Sequence, residues 1–436
     1  MLSTFLFPEL SVHSARPTKT YAQSRDPASV IRQFRKRHLL TPPPDFEMPK
    51  HFSFLEESYK PLHFNDSLAL FTPSSLASSP GFFYQNLGYK TKGDVLRSRK
   101  AVNHLRRRVH FIKQGQYKPA APAGVFVARS IYDLQKQKIK RRVAWAFPIE
   151  VTVMEAMFAR PVIDSLPCDY IPKPQTHHHR YCQTGVQLDF NSFDASVPHW
   201  LVDMALCDLF SRFDLSTYAC GNKVSHGNSL IHVLTYLREY ITRTPYKVGN
   251  KWYKKYHGVP SGSMFTNILD SMISEAVIRY CHKDCGQIDV CTYGDDTRYR
   301  CKSNTCTSQR IVARLKESFG MIARDEGTFR YGCLAYCKQR CFLGIPYVTG
   351  EWIMNILSCL KSRKYIRAVA HQLKQPPFPL QPWQKEELGS TVPGKLPARL
   401  KKYLKEIQPP TKHPVSGLSN QRSCEAQRRL LRLISP

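Results

Sequence analysis

The central part of the chain has the clearest alternation of apolar and polar residues. In "VQLDF" (residues 186–190) apolar residues occupy every second position, which is the period of a half-buried strand. Asp189 is therefore predicted on the face opposite the apolar set. In the following segment, 193–210, apolar residues recur at helical spacing. The pattern predicts a strand that leads into a helix, with Asp189 and Asp194 near the carboxyl end of the strand, where open sheets usually bind ligands.

A glycine-containing loop, a helix and a hairpin are predicted next. The loop is "GVPSG" (258–262), and apolar residues between 268 and 280 recur at helical spacing and should face the core. Thr266 and Asp270 are four residues apart, so they share a different face near the start of that helix. "QIDVCT", "YGDD" and "TRYRC" (287–301) then predict a strand, a tight turn and a return strand, because glycine adopts backbone angles that other residues resist.

The two ends of the chain have weaker periodicity. Residues 1–90 are rich in Pro and Ser, and we expect an extended arm that wraps a folded body. Residues 91–185 are basic and mixed in pattern. A proline-rich connector at 374–382 precedes further predicted helices.

The charge of the chain points to a polyanionic partner. With 436 residues and 42% hydrophobic residues, the chain is globular and long enough for two or three packed units. Its net charge of +31 favours nucleic acid or an anionic membrane surface. Residues 92–142 hold 15 basic and two acidic residues, and residues 361–436 hold 16 basic and four acidic residues. Two such regions around a carboxylate centre favour a nucleic-acid channel over solvated charged faces.

Targeting signals are weak. No run of about 18 apolar residues occurs, so the sequence predicts no membrane span. The first 25 residues contain one acidic residue, and an ordinary N-terminal arm is favoured over a transit peptide. Fourteen Cys without a secretory signal indicate reduced thiols in a cytosolic setting.

Adjacent carboxylates at the predicted hairpin turn suggest a cation site. Asp295 and Asp296 repel each other, so we expect cations to neutralise them. Oxygen ligands suit Mg²⁺ or Mn²⁺, and two such ions about 3.5 to 4 Å apart can stabilise both the attacking and the leaving oxygen of a phosphoryl transfer. Our hypothesis is that Asp189 and Asp295, helped by Asp296, hold two divalent ions that activate a primer 3′-hydroxyl and bind a triphosphate. A solvated acidic turn is the alternative.

These motifs carry a family resemblance. "DFNSFD" (189–194), "SGSMFTNILDS" (261–271) and "YGDD" (293–296), in that order, resemble the three central palm motifs of viral RNA-dependent RNA polymerases. "KIKRRVAWAFP" (138–148) resembles the basic fingers motif, and "FLGIP" (342–346) resembles the motif that joins palm to thumb. The chain looks most like the polymerases of partitiviruses and related double-stranded RNA viruses.

The resemblance implies a role for each matching residue. Asp189, Asp295 and Asp296 would bind the metals, and Asp194 would sense the ribose 2′-hydroxyl. The remaining nucleotide-binding residues fall in two groups. Those that would hold template and incoming nucleotide are Ser261, Gly262 and Thr266, and those in the channel where the triphosphate enters are Lys140, Arg141 and Arg142. The guanidinium groups of the two arginines match phosphate geometry.

Two positions depart from the family pattern. Many relatives have Asn at position 270, whereas this chain has Asp270, which can only accept a hydrogen bond when ionised. Asp270 would then accept from the ribose or pair with a fingers arginine. The family often supplies a lysine after the hairpin as proton donor to pyrophosphate, but 318–332 contains none. Arg324 and Arg330 are candidates, although a guanidinium hardly releases its proton, and the role stays open.

Three further signals have two interpretations each. RNA binding by Lys138, Lys251, Lys254 and Lys255 is suggested by their basic, aromatic-rich surroundings, and an ordinary hairpin surface is the alternative. Residues 177–179 are consecutive His, which favours a surface or template-contacting cluster over a metal site. The Cys lack CxxC spacing, which favours free thiols over a structural zinc ion. The Cys concerned are Cys281, Cys285, Cys301, Cys306, Cys333, Cys337 and Cys341.

The resemblance implies an α+β right-hand polymerase with fingers, a ferredoxin-like palm and a helical thumb. We expect an RNA-directed RNA polymerase that uses ribonucleoside triphosphates and two Mg²⁺ or Mn²⁺ ions to replicate and transcribe a viral RNA genome. The expected division is an arm bridging fingers and thumb, fingers, the first palm motif, a fingers insertion, palm, and thumb with a basic C-terminal segment. The corresponding bounds are 1–90, 91–185, 186–215, 216–255, 256–345 and 346–436.

Two other functions were weighed. A reverse transcriptase shares the palm carboxylates but usually has a bulky side chain where Asp194 stands. A non-catalytic RNA-binding or capsid-associated protein would bind RNA without metal-dependent synthesis, and the three carboxylates argue against it. We expect RNA template and product as partners, with a viral capsid protein as a further partner. The expected location is the host cytoplasm, within or associated with the virion, with a mitochondrial site as the alternative.

Overall fold

Two sheets and the helices packed on them form the main body of the chain. The computed structural model describes residues 16–22, 31–35, 41–116, 121–167, 170, 185–225, 229–248, 250–303, 306–329, 333–336, 339–342, 345–359, 369–370, 373, 380 and 382–391. Most buried apolar side chains in this part of the chain belong to one continuous core. No helix among these residues is both long and apolar enough to cross a bilayer.

The central sheet has four antiparallel strands in the order β7–β8–β4–β9. Their bounds are β4 Gly185–Phe190, β7 Ile288–Tyr293, β8 Asp296–Cys301 and β9 Ala323–Phe329. β7 and β8 form the predicted hairpin. Gly294 in its turn has φ +64°, a left-handed conformation that a side chain would disfavour.

Three helices pack against this sheet or against one another. They are α8 His199–Ser211, α10 Thr266–Cys281 and α11 Ser308–Phe319. α10 contacts β7, α11 contacts β9, and α8 packs on α10. The apolar stripe predicted for α10 is buried from Ile268 to Val277. The chain order β4, α10, β7, β8, α11, β9 with this strand order is a ferredoxin-like arrangement, so the predicted palm architecture is confirmed.

A second sheet lies beside the central one in the fold. Its strands are β1 Lys19–Tyr21, β2 Ala123–Asp133, β3 Lys138–Ala146, β5 Pro245–Val248 and β6 Lys251–Lys254. β2 pairs antiparallel with β1 and β3 and parallel with β5, and β6 pairs with β5. Strands from three distant parts of the sequence therefore share one sheet.

Residues 41–90 differ from the predicted extended arm. They contain three short helices, α1 Phe64–Ala69, α2 Pro73–Leu76 and α3 Phe82–Asn86. At one of these helices, a proline and a hydroxyl side chain of the kind that suggested an extended chain instead begin the helix. At α2 the Thr72 side chain accepts a hydrogen bond from the Ser75 N–H (3.3 Å), and Pro73 occupies the first turn. Aromatic residues of this region, including Phe52 and Tyr84, are fully buried in the main core.

The remaining elements complete the described chain. Their bounds are α4 Lys92–Arg97, α5 Arg99–Lys113, α6 Ile149–Ser165, α7 Phe193–Ser196, α9 Ser229–Thr242, β10 Cys333–Tyr336, β11 Gln339–Phe342, β12 Ile345–Tyr347, α12 Gly350–Ser358, α13 Pro382–Thr391 and a 3₁₀ helix at Arg32–Arg35. α12 and α13 contribute to a second, smaller apolar core. The backbone N–H groups of Thr18 and Lys19 donate to Asn355 Oδ1 at 2.8 and 2.9 Å. The β1 segment thus contacts both β2 and α12.

Candidate active site

The three predicted metal-binding carboxylates come from neighbouring strands of the central sheet. The β4–β8 register pairs Leu188 with Thr297, so the next position along places Asp189 opposite Asp296. Asp295 lies in the turn that precedes Asp296. On the other side of β4, Arg324 of β9 donates from Nη2 to Asp189 Oδ2 at 2.6 Å. Sheet pairing thus brings together carboxylates more than 100 residues apart in the sequence.

Two serines of helix α10 hydrogen bond with the turn of the β7–β8 hairpin. The Gly294 N–H donates to Ser271 Oγ at 2.7 Å, and the Ser274 hydroxyl donates to the Gly294 carbonyl at 3.0 Å. Both serines are fully buried. A β-carbon at Gly294 would lie 3.0 Å from Asn267 Nδ2, so the turn also approaches the helix closely. Sequence reasoning missed these serines, although two hydroxyls three apart on a predominantly buried helix are a recognisable signal.

Asp194 lies directly after β4, where the chain turns into α7. Ser192, which begins this turn, has φ +56°, a left-handed conformation that is strained for a residue with a side chain. The Ser261 hydroxyl donates to Asp194 Oδ2. The Val259 N–H donates to the Asp194 carbonyl at 2.7 Å. The predicted ribose sensor and the predicted loop are therefore in direct contact.

Asp194 and Asp270 form a buried pair of acidic side chains. Asp270 is only 4% exposed. Burial, together with the negative charges of Asp194 and Asp295, raises the pKa of Asp270 well above its usual range. Burial also raises the pKa of Asp194, but the Ser261 hydroxyl and the charge of Arg142 act in the opposite direction. The causes that raise the pKa are stronger at Asp270, so the protonated form is favoured there over Asp194.

A protonated Asp270 is a hydrogen-bond donor like the amide of Asn. Acceptance from the ribose and an ion pair with a fingers arginine, the two roles that the sequence suggested for Asp270, stay predictions. The departure from the family pattern is therefore smaller chemically than it is in sequence.

The Asp270→Asn variant should lose a pH dependence of stability that the native chain has. The folded-state pKa of Asp270 lies above its unfolded value, so the contribution of this carboxyl group to stability is full below about pH 4. That contribution falls as pH rises towards the folded-state pKa. An amide does not titrate and still donates to Asp194. We expect the decline of the unfolding free energy with pH to be less steep in the variant by about 1.4 kcal/mol per pH unit within this window, while the contribution of groups such as Glu155 remains.

The test is urea unfolding of both proteins between pH 5 and pH 8. Asp66→Asn, a change at an exposed aspartate in α1, is the matched control and should keep the native slope. Parallel slopes for native protein and Asp270→Asn would contradict the assigned proton.

The loop before α10 is packed against backbone on two sides. The Trp145 N–H donates to the Ser261 carbonyl at 3.3 Å, and a β-carbon at Gly262 would collide with the Trp145 carbonyl. The Thr266 hydroxyl donates to the carbonyls of Pro260 (3.0 Å) and Ser263 (2.9 Å). Of the three predicted loop residues, Ser261 contacts Asp194, whereas Gly262 and Thr266 fix the loop's shape.

A buried glutamate that sequence reasoning missed anchors this loop. Glu155 of α6 accepts from the Ser263 hydroxyl at Oε1 (2.5 Å) and from the Met264 N–H at Oε2 (3.2 Å). Its burial raises its pKa to about 7, although both hydrogen bonds and the charge of Lys92 act to lower it. An acidic residue inside the apolar sequence of α6 was the available signal.

The predicted triphosphate-binding residues lie on β3. Arg142 is exposed, and its charge lowers the pKa of Asp194, so it lies beside the site. Lys140 and Arg141 precede it on the same strand, paired with Ile131 and Ser130 of β2. Lys140 is exposed and Arg141 is half-buried. Strand β3 therefore carries three basic side chains in succession, and the last of them, Arg142, lies near Asp194.

Three of the four predicted RNA-binding lysines are exposed, and the fourth is not. Lys138 begins β3, and Lys251 and Lys254 are exposed on β6, where Trp252 is 60% exposed. Lys255 is fully buried, and its ammonium donates to the carbonyls of Thr242 (3.0 Å) and Gly258. Burial lowers its pKa to about 7. The prediction that Lys255 binds RNA is wrong, since its ammonium is used inside the protein.

Some predicted positions lie outside the described residues. They are the histidines at 177–179, Arg330 and Cys337. Cys333 and Cys341 lie on β10 and β11, but their side chains are not among those described.

Comparisons with known proteins agree with this geometry. The model of the family described as viral RNA-dependent RNA polymerase matches residues 46–329. The RNA-directed RNA polymerase of Cryptosporidium parvum virus 1 (strain KSU-1) is 29% identical over 132 residues, which cover 29% of this chain and 23% of that protein. The matched segment thus spans about a quarter of that relative's length. A Sicinivirus 3Dpol RNA-dependent RNA polymerase structure superposes with a TM-score of 0.59 at 14% identity, over 98% of this chain and 89% of that one.

Proposed function

Because the chain belongs to the viral RNA-dependent RNA polymerase family, we propose that it copies an RNA template by adding ribonucleotides to an RNA 3′ end with release of pyrophosphate. The family membership confirms the resemblance identified from the motifs. One observation carries the proposal: Asp189, Asp295 and Asp296 lie at the same end of two neighbouring central strands of a ferredoxin-like sheet, near the Asp194–Ser261 contact. As part of the proposal, the chain replicates and transcribes the genome of a partitivirus-like double-stranded RNA virus.

The donor set fits two divalent ions, Mg²⁺ or Mn²⁺. Asp189, Asp295 and Asp296 offer only oxygen ligands, which these ions prefer. When bound, the ions would supply Lewis-acid stabilisation to the phosphoryl oxygens and favour ionisation of the attacking hydroxyl. Asp189 already pairs with Arg324 in this structure. That pair is partly exposed and worth about 0 to 1 kcal/mol, so it opposes an ion only weakly.

Asp194 is suited to recognise ribose. Its ionised carboxylate can accept a hydrogen bond from a 2′-hydroxyl, which a deoxyribose lacks. Ser261 and the protonated Asp270 both donate to Asp194 and so fix its orientation. A bulky side chain at position 194, as in a reverse transcriptase, would instead exclude the hydroxyl.

The basic side chains supply the phosphate contacts. Arg142, with Lys140 and Arg141, would hold the triphosphate, and the exposed Lys251 and Lys254 would contact RNA phosphates. Such contacts carry affinity rather than sequence preference, so RNA binding should weaken steeply with salt.

The proposed domain division has support in the sheet pairings. β5 and β6 share a sheet with β2 and β3, which supports grouping 216–255 with the fingers at 91–185. Contacts of β1 with β2 and α12 support a bridge from the N-terminal arm to a thumb that begins near residue 346. Location in the host cytoplasm, with a capsid protein as partner, belongs to the same proposal.

The test is incorporation of labelled ribonucleotides on a single-stranded RNA template with Mg²⁺ or Mn²⁺. We expect template-length product that requires all four ribonucleotides and is not formed from deoxyribonucleotides. Product with deoxyribonucleotides would favour the reverse transcriptase. RNA binding without product would favour the non-catalytic RNA-binding or capsid-associated protein and overturn the proposal.

A further inference from the structure

A group of cysteines and one histidine lies at the far end of the β7–β8 hairpin from the acidic turn. His282 and Cys285 follow the end of α10, Cys301 is the last residue of β8, and Cys306 precedes α11. β8 begins at Asp296, so its five steps of about 3.3 Å separate this group from the turn by about 17 Å. The group is therefore separate from the carboxylate site.

The ligand atoms converge on one point. A ring nitrogen of His282 and the sulfur atoms of Cys301 and Cys306 all lie within 4.8 Å of one another. The Cys306 thiol also interacts with Cys285, whose sulfur is the candidate fourth ligand. Three ligand atoms thus surround a single small volume, with a further sulfur beside Cys306.

The histidine is oriented as a metal ligand would be. His282 is 1% exposed, and its Nδ1 contacts the Ile278 carbonyl at 2.7 Å. That contact fixes the proton on Nδ1 and leaves the lone pair on Nε2 free. Nε2 is buried and has no hydrogen-bond partner among the described residues, which is costly for a polar atom. Metal-ligating histidines commonly donate their other ring N–H to a backbone carbonyl.

We propose that His282 Nε2 and the thiolates of Cys285, Cys301 and Cys306 bind one structural zinc ion. A Cys₃His set with four protein ligands is a usual closed zinc site. With zinc bonds of about 2.3 Å to sulfur and 2.0 to 2.1 Å to nitrogen, tetrahedral ligand atoms lie about 3.5 to 3.8 Å apart. Closing of about 1 Å from the present separations of up to 4.8 Å would bring the ligand atoms of His282, Cys301 and Cys306 to these distances, and the Cys285 thiolate would complete the site.

The surroundings suit a site with one net negative charge. Three thiolates and one Zn²⁺ give −1, and the Arg314 guanidinium interacts electrostatically with Cys285 while donating to the Cys281 carbonyl at 2.9 Å. The Ser303 N–H donates to Cys301 Sγ at 3.4 Å. Backbone and arginine donors of this kind stabilise metal-bound thiolate, as outer-shell partners do in other zinc sites.

The spacing explains why the sequence favoured free thiols. The chain has no CxxC pair, but His282 and Cys285 have the same two-residue separation, with histidine as the first ligand. The other two ligands come from the end of β8 and the start of α11, so only the fold brings them together. The ion would join these two elements to the end of α10.

Metal analysis of the purified full-length chain is the first test. We expect about one zinc ion per chain. Cys301→Ser and Cys306→Ser should each reduce the bound zinc at least about tenfold, because a structural site needs all four ligands. Cys220→Ser, a change at an exposed free cysteine, is the matched control and should retain it. Less than about a tenth of an ion per chain, or iron in place of zinc, would overturn the proposal.

A second measurement on the native chain covers the case in which the variants fail to fold. Titration with a mercurial thiol reagent should release zinc in step with the modification of three cysteines, and cobalt substitution should give the intense visible bands of a tetrahedral thiolate site. Peptide mapping that finds a Cys301–Cys306 disulfide would also overturn the proposal. These readouts do not depend on nucleotide incorporation, so the zinc site and the polymerase activity can fail separately.

Discussion

Asp295→Asn should lower template-directed nucleotide incorporation about 1,000-fold or more while leaving RNA binding nearly unchanged. In the proposed metal site, the amide would remove a negative charge and one oxygen ligand. Metal stabilisation of a phosphoryl transfer is worth several kcal/mol, and each 1.36 kcal/mol is a factor of ten in rate, so a loss of about 4 kcal/mol gives this effect. Asp295 is exposed, so its replacement should not disturb the fold.

Single-turnover extension of a self-priming RNA hairpin measures the rate, and fluorescence anisotropy of the same RNA measures binding. Asp289→Asn, on strand β7 of the same hairpin, is the matched control because Asp289 is an exposed aspartate that pairs with Arg300 away from the turn. We expect its extension rate to stay within about twofold of native, since an exposed ion pair contributes little. Extension by Asp295→Asn within tenfold of native would contradict the metal-binding role.

Gly258→Ala should destabilise the folded chain by about 3 to 5 kcal/mol. Gly258 has φ +82°, where a β-carbon alone costs about 1 to 2 kcal/mol. The added carbon would also collide with the Asp194 carbonyl and lie 2.8 Å from the Phe34 ring, and backbone cannot move aside cheaply. Relief of this clash shifts the loop that carries Ser261, so discrimination between ribonucleotides and deoxyribonucleotides should fall as well.

Gly221→Ala separates the two costs. Gly221 has nearly the same backbone angle, φ +86°, but its β-carbon would meet nothing within 4 Å. Its expected loss is therefore about 1 to 2 kcal/mol. Urea unfolding of the three proteins gives the two differences in free energy. Equal losses of unfolding free energy for Gly221→Ala and Gly258→Ala would show that the clash with Asp194 contributes nothing to the destabilisation.

Local sequence patterns predicted the central elements well. The strand that holds Asp189, the hairpin around Gly294 and the apolar face of α10 each depend on neighbouring residues, so their periods are visible in the sequence. The resemblance to polymerase motifs then supplied the order of these elements in space.

Contacts between distant residues could not be read in the same way. The raised pKa of Asp270 depends on its burial and on Asp194, which is 76 positions away in the sequence. Lys255 has the sequence surroundings of an exposed hairpin lysine, but the chain turns inward after β6 and buries it. Glu155 has a partner 108 residues away. Each of these roles requires knowing which side chains the fold places together.

The contact between β1 and α12 also bears on how the protein is made. Thr18 and Asn355 are 337 residues apart, so the ribosome must produce nearly the whole described chain before they can meet. Loop closure over such a separation is entropically unfavourable until the intervening units have folded. During synthesis, the segment at 16–22 therefore cannot contact α12 until α12 has been made, and the other strands of the two sheets can assemble first. We therefore expect the joining of the first described segment to α12 to be a late event, after the strands that carry Asp189 and Asp296 have been synthesised.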